Sequence, residues 1–287
     1  MRFSLLRWRN GTRQPTRMNP KTILITGATD GIGKQSALEL ARQGHHIVVH
    51  GRNETRAKQV VADIQRATKN PRVEFVLADF AALGDVRTLA DTIRQHYPRL
   101  DILINNAGVF MPSRTLTRDG YEMTFQVNHL AHFLLTNRLV EKIKSSAPAR
   151  ILHVSSGLHR GGNIEWDNLQ GEKQYSGYDA YARSKLANVL FAYALAEKLG
   201  NAQVTSNALH PGVIRTKLLR AGWGGGNDLS RGAETIVYCA TAPELESVTG
   251  RFFDNKRETA SSSLSHDKNL QRAFWDRSAQ WVGLAES

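Results

Sequence analysis

The segment "YSGYDAYARSKLANVL" (175–190) places three tyrosines ahead of a single lysine. A phenol of pKa about 10 is a poor acid–base group near neutrality, and moving it to about 7 takes roughly 4 kcal/mol of differential stabilisation. An ammonium one helical turn away, at i+4, is one source of it. Tyr181 has Lys185 at that position, whereas the +4 positions of Tyr175 and Tyr178 hold Asp179 and Ala182. The run 181–199 is rich in Ala and Leu, so the spacing predicts a long helix carrying both groups on one face. Taken alone, such a pair is usually a surface contact.

A second group with chemistry is "TGATDGIGK" (26–34), between an apolar run and a helical pattern. Gly27 permits a tight turn, Gly31 lets the backbone approach a pyrophosphate, and Gly33 permits close packing, while the helix N-terminus offers N–H groups to the anion. Dinucleotide sites that prefer NAD place a carboxylate at the end of the second strand. Here that stretch reads "HHIVVHGRN", and the first charged side chain after it is Arg52. A guanidinium suits a 2′-phosphate, with Lys34 as a second cation, so the expected cofactor is NADP(H) in preference to NAD(H). Asp79, ending the third strand, is placed to accept from an adenine amino group.

Four motifs in order, "TGATDGIG", "NNAG" (105–108), "YARSK" (181–185) and "HPGVIRT" (210–216), resemble the short-chain dehydrogenase/reductase family. The resemblance runs from the glycine loop through at least Thr216. The segments 125–136, 168–173 and 184–191 are similar to the branch of retinol dehydrogenases and WW-domain oxidoreductases.

The resemblance implies an oxidoreductase that moves a hydride between a nicotinamide and a carbonyl or alcohol, with carbonyl reduction as the expected direction. It makes Tyr181 the acid or base, and Lys185 the group that lowers its pKa and holds the nicotinamide ribose. Ser156 donates to the substrate oxygen, with Ser155 as the alternative, and Asn128 holds a relay water through its backbone. Asn106, Ala107 and Gly108 border the cofactor. Pro211, Gly212, Val213 and Thr216 cover its nicotinamide side. Thr29, Asp30, Ile32, Asn53 and Phe80 complete the expected cofactor contacts. Residues 157–180 form an insertion between serine and tyrosine that the retinol dehydrogenase branch shares, which makes Tyr175 and Tyr178 pocket or packing residues. Membrane-bound members of that branch also carry a long apolar anchor, and this sequence has no such run.

Other constellations are weaker. His129 and His132 have a zinc-compatible spacing without a third ligand. His153 and His159 flank Ser155 and Ser156, but no GxSxG elbow occurs. The rival from another class is a non-catalytic NADP-binding scaffold or redox sensor; such a protein would be free to lose Tyr181 or Lys185.

The elements that must position these residues follow from apolar periodicity. Runs at 21–27, 45–51, 73–79, 100–108, 150–156 and 202–212 read as strands, separated by helical patterns such as 33–44 and 55–69. Repeated β–α alternation predicts an α/β, doubly wound Rossmann fold with a mostly parallel central sheet flanked by helices on both faces, and ligands at the strand C-termini. With 287 residues, one domain over 21–287 is expected, with a lid around 214–230 whose Leu218, Leu219 and Trp223 hint at a lipophilic substrate. Phe274, Trp275 and Trp281 mark a C-terminal docking helix.

No run is long enough to span a membrane, and the single cysteine, Cys239, excludes an intrachain disulfide and suits a reducing, cytoplasmic setting. Of the net charge of +12, six charges (Arg2, Arg7, Arg9, Arg13, Arg17 and Lys21) precede the first strand with no acid among them. Residues 1–20 therefore read as a disordered basic extension or a stretch before a true start at Met18. A weaker resemblance is to a transit peptide, and a peripheral membrane contact through Phe3, Leu5, Leu6 and Trp8 is the remaining reading. With no aromatic–basic interleaving, nucleic acid is not an expected partner. The expected partner is a small carbonyl or alcohol substrate, and the family resemblance implies a homodimer or homotetramer.

Overall fold

The computed structural model describes residues 20–214 and 228–284. The basic extension, Thr216 and nearly all of the expected lid, Leu218, Leu219 and Trp223 included, lie outside the described residues.

The apolar runs form β1 (Thr22–Ile25), β2 (His46–Gly51), β3 (Val73–Leu77), β4 (Ile102–Asn105), β5 (Ala149–Val154) and β6 (Val204–His210). Two further strands, β7 (Phe252–Asp254) and β8 (Arg257–Glu258), are too short to carry a periodicity; β7 exists by pairing Ala208 with Phe252 on the edge of β6. The order is β3-β2-β1-β4-β5-β6-β7-β8, parallel throughout except between β7 and β8. From β1 the chain winds outward through β2 and β3, then returns to add β4 on the other side. The strand order reverses between β1 and β4, where a crevice opens at the C-terminal ends.

Between strands lie α1 (Gly31–Arg42), α2 (Glu54–Thr68), α3 (Leu83–His96), the short α4 (Met123–Phe125), α5 (Ala131–Lys144), α6 (Gly177–Leu199) and α7 (Leu229–Thr241), and α8 (Lys268–Trp281) follows the last strand. Strand periodicity of two divides the core. Ile23 and Ile25, Ile47 and Val49, and Ile102 and Ile104 point to the side that packs Leu40 of α1, Ile64 of α2 and Ile236 of α7. Leu24, Val48 and Leu103 point to the opposite side, against Val86 of α3, Leu135 of α5 and Leu190 of α6. The fold is a doubly wound α/β sheet with helices on both faces.

Two helices bear on function. α6 starts at the Ser176 cap, whose side chain accepts from Asp179 N–H, and it is buried from Ala180 through Leu195. It therefore enters the core with its lysine inside. Ahead of α5, residues Gln126–Leu130 form a π-helix, closed by Ala131 N–H donating to the Gln126 carbonyl. Such bulges re-aim side chains and concentrate at functional sites.

Candidate active site

A cleft of about 760 Å³ opens over the switch point. Its floor is the glycine turn. Gly27 has φ +64°, and a Cβ there would lie 2.8 Å from the Ala107 backbone. At Gly33 a Cβ would meet the Asn106 amide at 2.5 Å. Asn106 in turn donates to the Thr26 carbonyl at 2.7 Å, which locks the "NNAG" loop onto the turn. Thr29, Asp30, Gly31, Ile32 and Gly33 all line the cleft, as do Asn106, Ala107 and Gly108 across from them. Asp30 caps α1 by accepting from Gly31 N–H.

Beyond the turn the cleft reaches the ends of β2 and β3. Arg52, Asp79 and Phe80 line it there, with Arg52 4.0 Å from Asp79 and its side chain 73% exposed. Two residues expected to contact the cofactor do not line the cleft at this end. Lys34 does not reach the cleft: its ammonium lies 3.3 Å from Asp63 of α2, because position 34 on α1 faces the neighbouring helix. Asn53 does not line it either; its side chain turns back to cap α2, accepting from Arg56 N–H at 2.9 Å. A second guanidinium does line the cleft, that of Arg56 on the first turn of α2, a position absent from the sequence expectation. Its signal was spacing, four residues after Arg52 on a helix that starts at the strand end.

The reactive end is built by β5 and α6. The Ser156 hydroxyl lies near enough to Tyr181 to favour the ionised form of its phenol. The Lys185 ammonium sits over the Tyr181 ring, 5.4 Å from its centre, and donates to the Val154 carbonyl at 3.0 Å. Ser155 donates to the Lys185 carbonyl at 2.7 Å. Both serines line the cleft with Tyr181, but the Ser155 hydroxyl is committed to the α6 backbone. Burial pushes the Tyr181 phenol up, the nearby Ser156 hydroxyl offsets only part of this, and burial also pulls Lys185 down to about 8. Desolvation disfavours both charged forms at once. At neutral pH the phenol keeps its proton, the form required of a donor.

Asn128 lies behind this wall, in the π-helix, fully buried. Its side chain accepts from Val109 N–H at 2.7 Å and donates to the Val109 carbonyl and Ser184 Oγ at 3.0 Å each. Its carbonyl is engaged by a route the sequence did not reveal. Thr26 Oγ1 accepts from the Asn106 and Ala107 amides at 2.8 and 2.9 Å, which occupies both lone pairs. Its proton then goes to His132 Nε2 at 2.9 Å rather than to the Ile104 carbonyl at 3.3 Å. The remaining imidazole proton is on Nδ1 and is donated to the Asn128 carbonyl at 2.9 Å. His129 points elsewhere, to Ser278 Oγ at 3.0 Å, so the two histidines share no ligand.

The far wall carries Pro211, Gly212 and Val213, with His210 beside Gly157. Val109, Phe110, Met111 and Leu158 make the mouth apolar. The insertion is pinned behind it. Arg183 of α6 donates to the carbonyls of Asn163, Asn168 and Leu169, and Tyr175 Oη donates to the Met111 carbonyl at 2.9 Å. Tyr175 is a packing residue at the edge of the pocket, and Tyr178 is 44% exposed.

This arrangement fits a nicotinamide dinucleotide: closely packed glycines under a helix N-terminus, two guanidinium groups at the far end, and a phenol, hydroxyl and ammonium grouped at the other. Among the described residues no helix is long and apolar enough to cross a membrane.

Comparison with known proteins agrees with this geometry. The short chain dehydrogenase family model matches residues 21–223. Human retinol dehydrogenase 14 is 40% identical, covering 94% of this chain and 88% of its own. Mouse retinol dehydrogenase 13 is 42% identical over 92% and 84%, and human polyprenol dehydrogenase 38% identical over 93% and 86%. Among solved structures, an uncharacterized protein from Mycobacterium paratuberculosis superposes with a TM-score of 0.77 at 30% identity, covering 92% of this chain and 94% of that one. A short chain dehydrogenase from Escherichia coli CFT073 complexed with NADPH superposes at 0.69 with 28% identity, over 85% and 100%. The chain belongs to the short-chain dehydrogenase family, as an oxidoreductase acting on CH–OH and C=O groups.

Proposed function

We propose that the chain is an NADP(H)-dependent reductase of lipophilic aldehydes or ketones. The observation that carries the cofactor choice is the end of β2, where Arg52 and Arg56 enter the cleft and no carboxylate follows the strand before Arg52. Two guanidinium groups match a 2′-phosphate. The lipophilic substrate is supported by the apolar mouth and by relatives named for retinol and polyprenol.

The reduced nicotinamide, when bound, supplies the hydride. The chain supplies the rest. Ser156 donates a hydrogen bond to the carbonyl oxygen, orienting it against Tyr181. Tyr181, protonated because its buried phenol resists ionisation, gives its proton to that oxygen. Lys185 holds positive charge beside the phenol and stabilises the tyrosinate left behind. Asn128 keeps the Val109 backbone, and thereby Gly108, against the lysine. In the same reading the protein is cytoplasmic, touches membranes through its basic extension, and assembles as a homodimer or homotetramer.

The test is NADPH oxidation by the purified full chain against aldehydes and ketones of rising chain length, retinal included, with NADH in parallel. Preference for NADPH and for the longer substrates is the expected result. Faster turnover with NADH would overturn the cofactor assignment, and tight NADPH binding without turnover of any carbonyl would return the scaffold reading.

A further inference from the structure

His50 sits next to the last residue of β2, is 3% exposed, and lines the floor of the cleft. Its two ring nitrogens reach two different parts of the cofactor site. Nδ1 lies 3.2 Å from the Gly27 amide, the first amide of the glycine turn, and a backbone N–H can only donate. Nδ1 therefore carries the lone pair. The ring proton is on Nε2 and is donated to the Ala78 carbonyl at 3.1 Å, one residue before Asp79. A single neutral tautomer satisfies both bonds. Phe80 stacks on the ring at 4.4 Å and 23°, fixing its plane.

Gly27 is confined from the other side as well, by the Ala107 backbone that a Cβ would strike at 2.8 Å. The amide is thus held between "NNAG" and His50. A residue with an apolar side chain at position 50 would leave that amide with no acceptor on this side, and β2 would hold the turn only through the Ala28 N–H, which donates to the carbonyl of residue 50 at 2.9 Å.

We infer that His50 is a positioning residue for the dinucleotide: it ties the turn that receives the pyrophosphate to the end of β3 that receives the adenine, and so sets the distance between the two half-sites. Buried and held down to about 4, the ring stays neutral across the working range and keeps both bonds. The inference rests on the nicotinamide-dinucleotide reading of the cleft.

The two bonds can be removed separately. Asparagine places its Oδ1 near the position of Nδ1 and keeps an acceptor for Gly27; glutamine places its Nε2 near the ring Nε2 and keeps a donor for Ala78. Dissociation constants for NADPH and NADH are measured by fluorescence titration on wild type, His50→Asn, His50→Gln and His50→Leu, with thermal unfolding alongside. Because the tie needs both bonds, His50→Asn, His50→Gln and His50→Leu are each expected to lose about tenfold. The loss appears in cofactor KM and not in kcat. Should His50→Leu not fold, the Asn and Gln variants decide: wild-type affinity in either one overturns the inference. Wild-type affinity in His50→Leu, or parallel losses of kcat and unfolding temperature in all three, overturns it too. Wild type that binds neither dinucleotide sinks the cofactor reading itself, which separates the two failures.

Discussion

The Lys185 ammonium lies 5.4 Å from the centre of the Tyr181 ring and donates to the Val154 carbonyl at 3.0 Å, in a site where both residues are buried. Burial lowers Lys185 to about 8 and raises Tyr181. In the free enzyme, therefore, lysine titrates before tyrosine as pH rises. For carbonyl reduction, kcat/KM is expected to hold through neutrality and fall above about pH 8, and a pH–rate profile of the wild type checks this. A profile flat to pH 10 would show that the ammonium is not required.

The same desolvation has a stability consequence. A folded-state value about 8, against 10.5 for an ordinary lysine, corresponds to about 3 kcal/mol of cost at neutral pH, partly offset by about 1 kcal/mol from the Val154 bond. Lys185→Met is expected to be more stable than wild type at pH 7 by about 2 kcal/mol and to be inactive. Because the unfolded chain binds the proton more tightly, wild type gains on the variant between about pH 8 and 10.5. Denaturant unfolding at pH 7 and pH 10.5 measures both; a variant less stable at pH 7 would contradict the argument.

The serine pair separates chemistry from support. Ser156 favours the ionised form of the Tyr181 phenol, and Ser155 donates to the Lys185 carbonyl at 2.7 Å. Ser156→Ala is expected to lose ~10²-fold or more in kcat with unfolding unchanged. Ser155→Ala is expected to cost about 1 kcal/mol of stability with a smaller kinetic effect. The reverse pattern in paired kinetic and unfolding measurements would reassign the roles.

The tyrosines divide likewise. Tyr181→Phe should retain NADPH binding and lose ~10²- to 10⁴-fold in kcat. Tyr175→Phe removes bonds to the Met111 carbonyl and Glu122, and should cost about 1 kcal/mol while leaving turnover near wild type. Single-turnover kinetics and calorimetry on both variants distinguish these outcomes.

Arg52→Ala and Arg56→Ala should each weaken NADPH binding by about 10- to 100-fold and leave NADH nearly unaffected, because only the former carries the extra phosphate. Lys34→Ala, already paired with Asp63, should change neither. Equal losses for both dinucleotides would mean that these cations act on the pyrophosphate or on folding.

What the sequence by itself determined is everything governed by local periodicity. Short apolar runs marked the strands from β1 to β6, the glycine spacing marked the turn over β1, and one helical turn put Lys185 beside Tyr181. These depend on residues within a few positions of one another. The tertiary structure decided which way individual side chains turn. Ser155 rather than Ser156 is tied to the Lys185 carbonyl because β5 and α6 set which of two adjacent hydroxyls meets the helix backbone. Lys34 goes to Asp63 because α1 and α2 lie side by side. His50 and His132, with nothing in their neighbourhood to mark them, become parts of the site through Gly27, Ala78, Thr26 and Asn128, contacts that cross from one strand or helix to another. Burial then set the pKa direction at Tyr181, since the desolvation of a side chain is a property of the packed core and of no sequence interval.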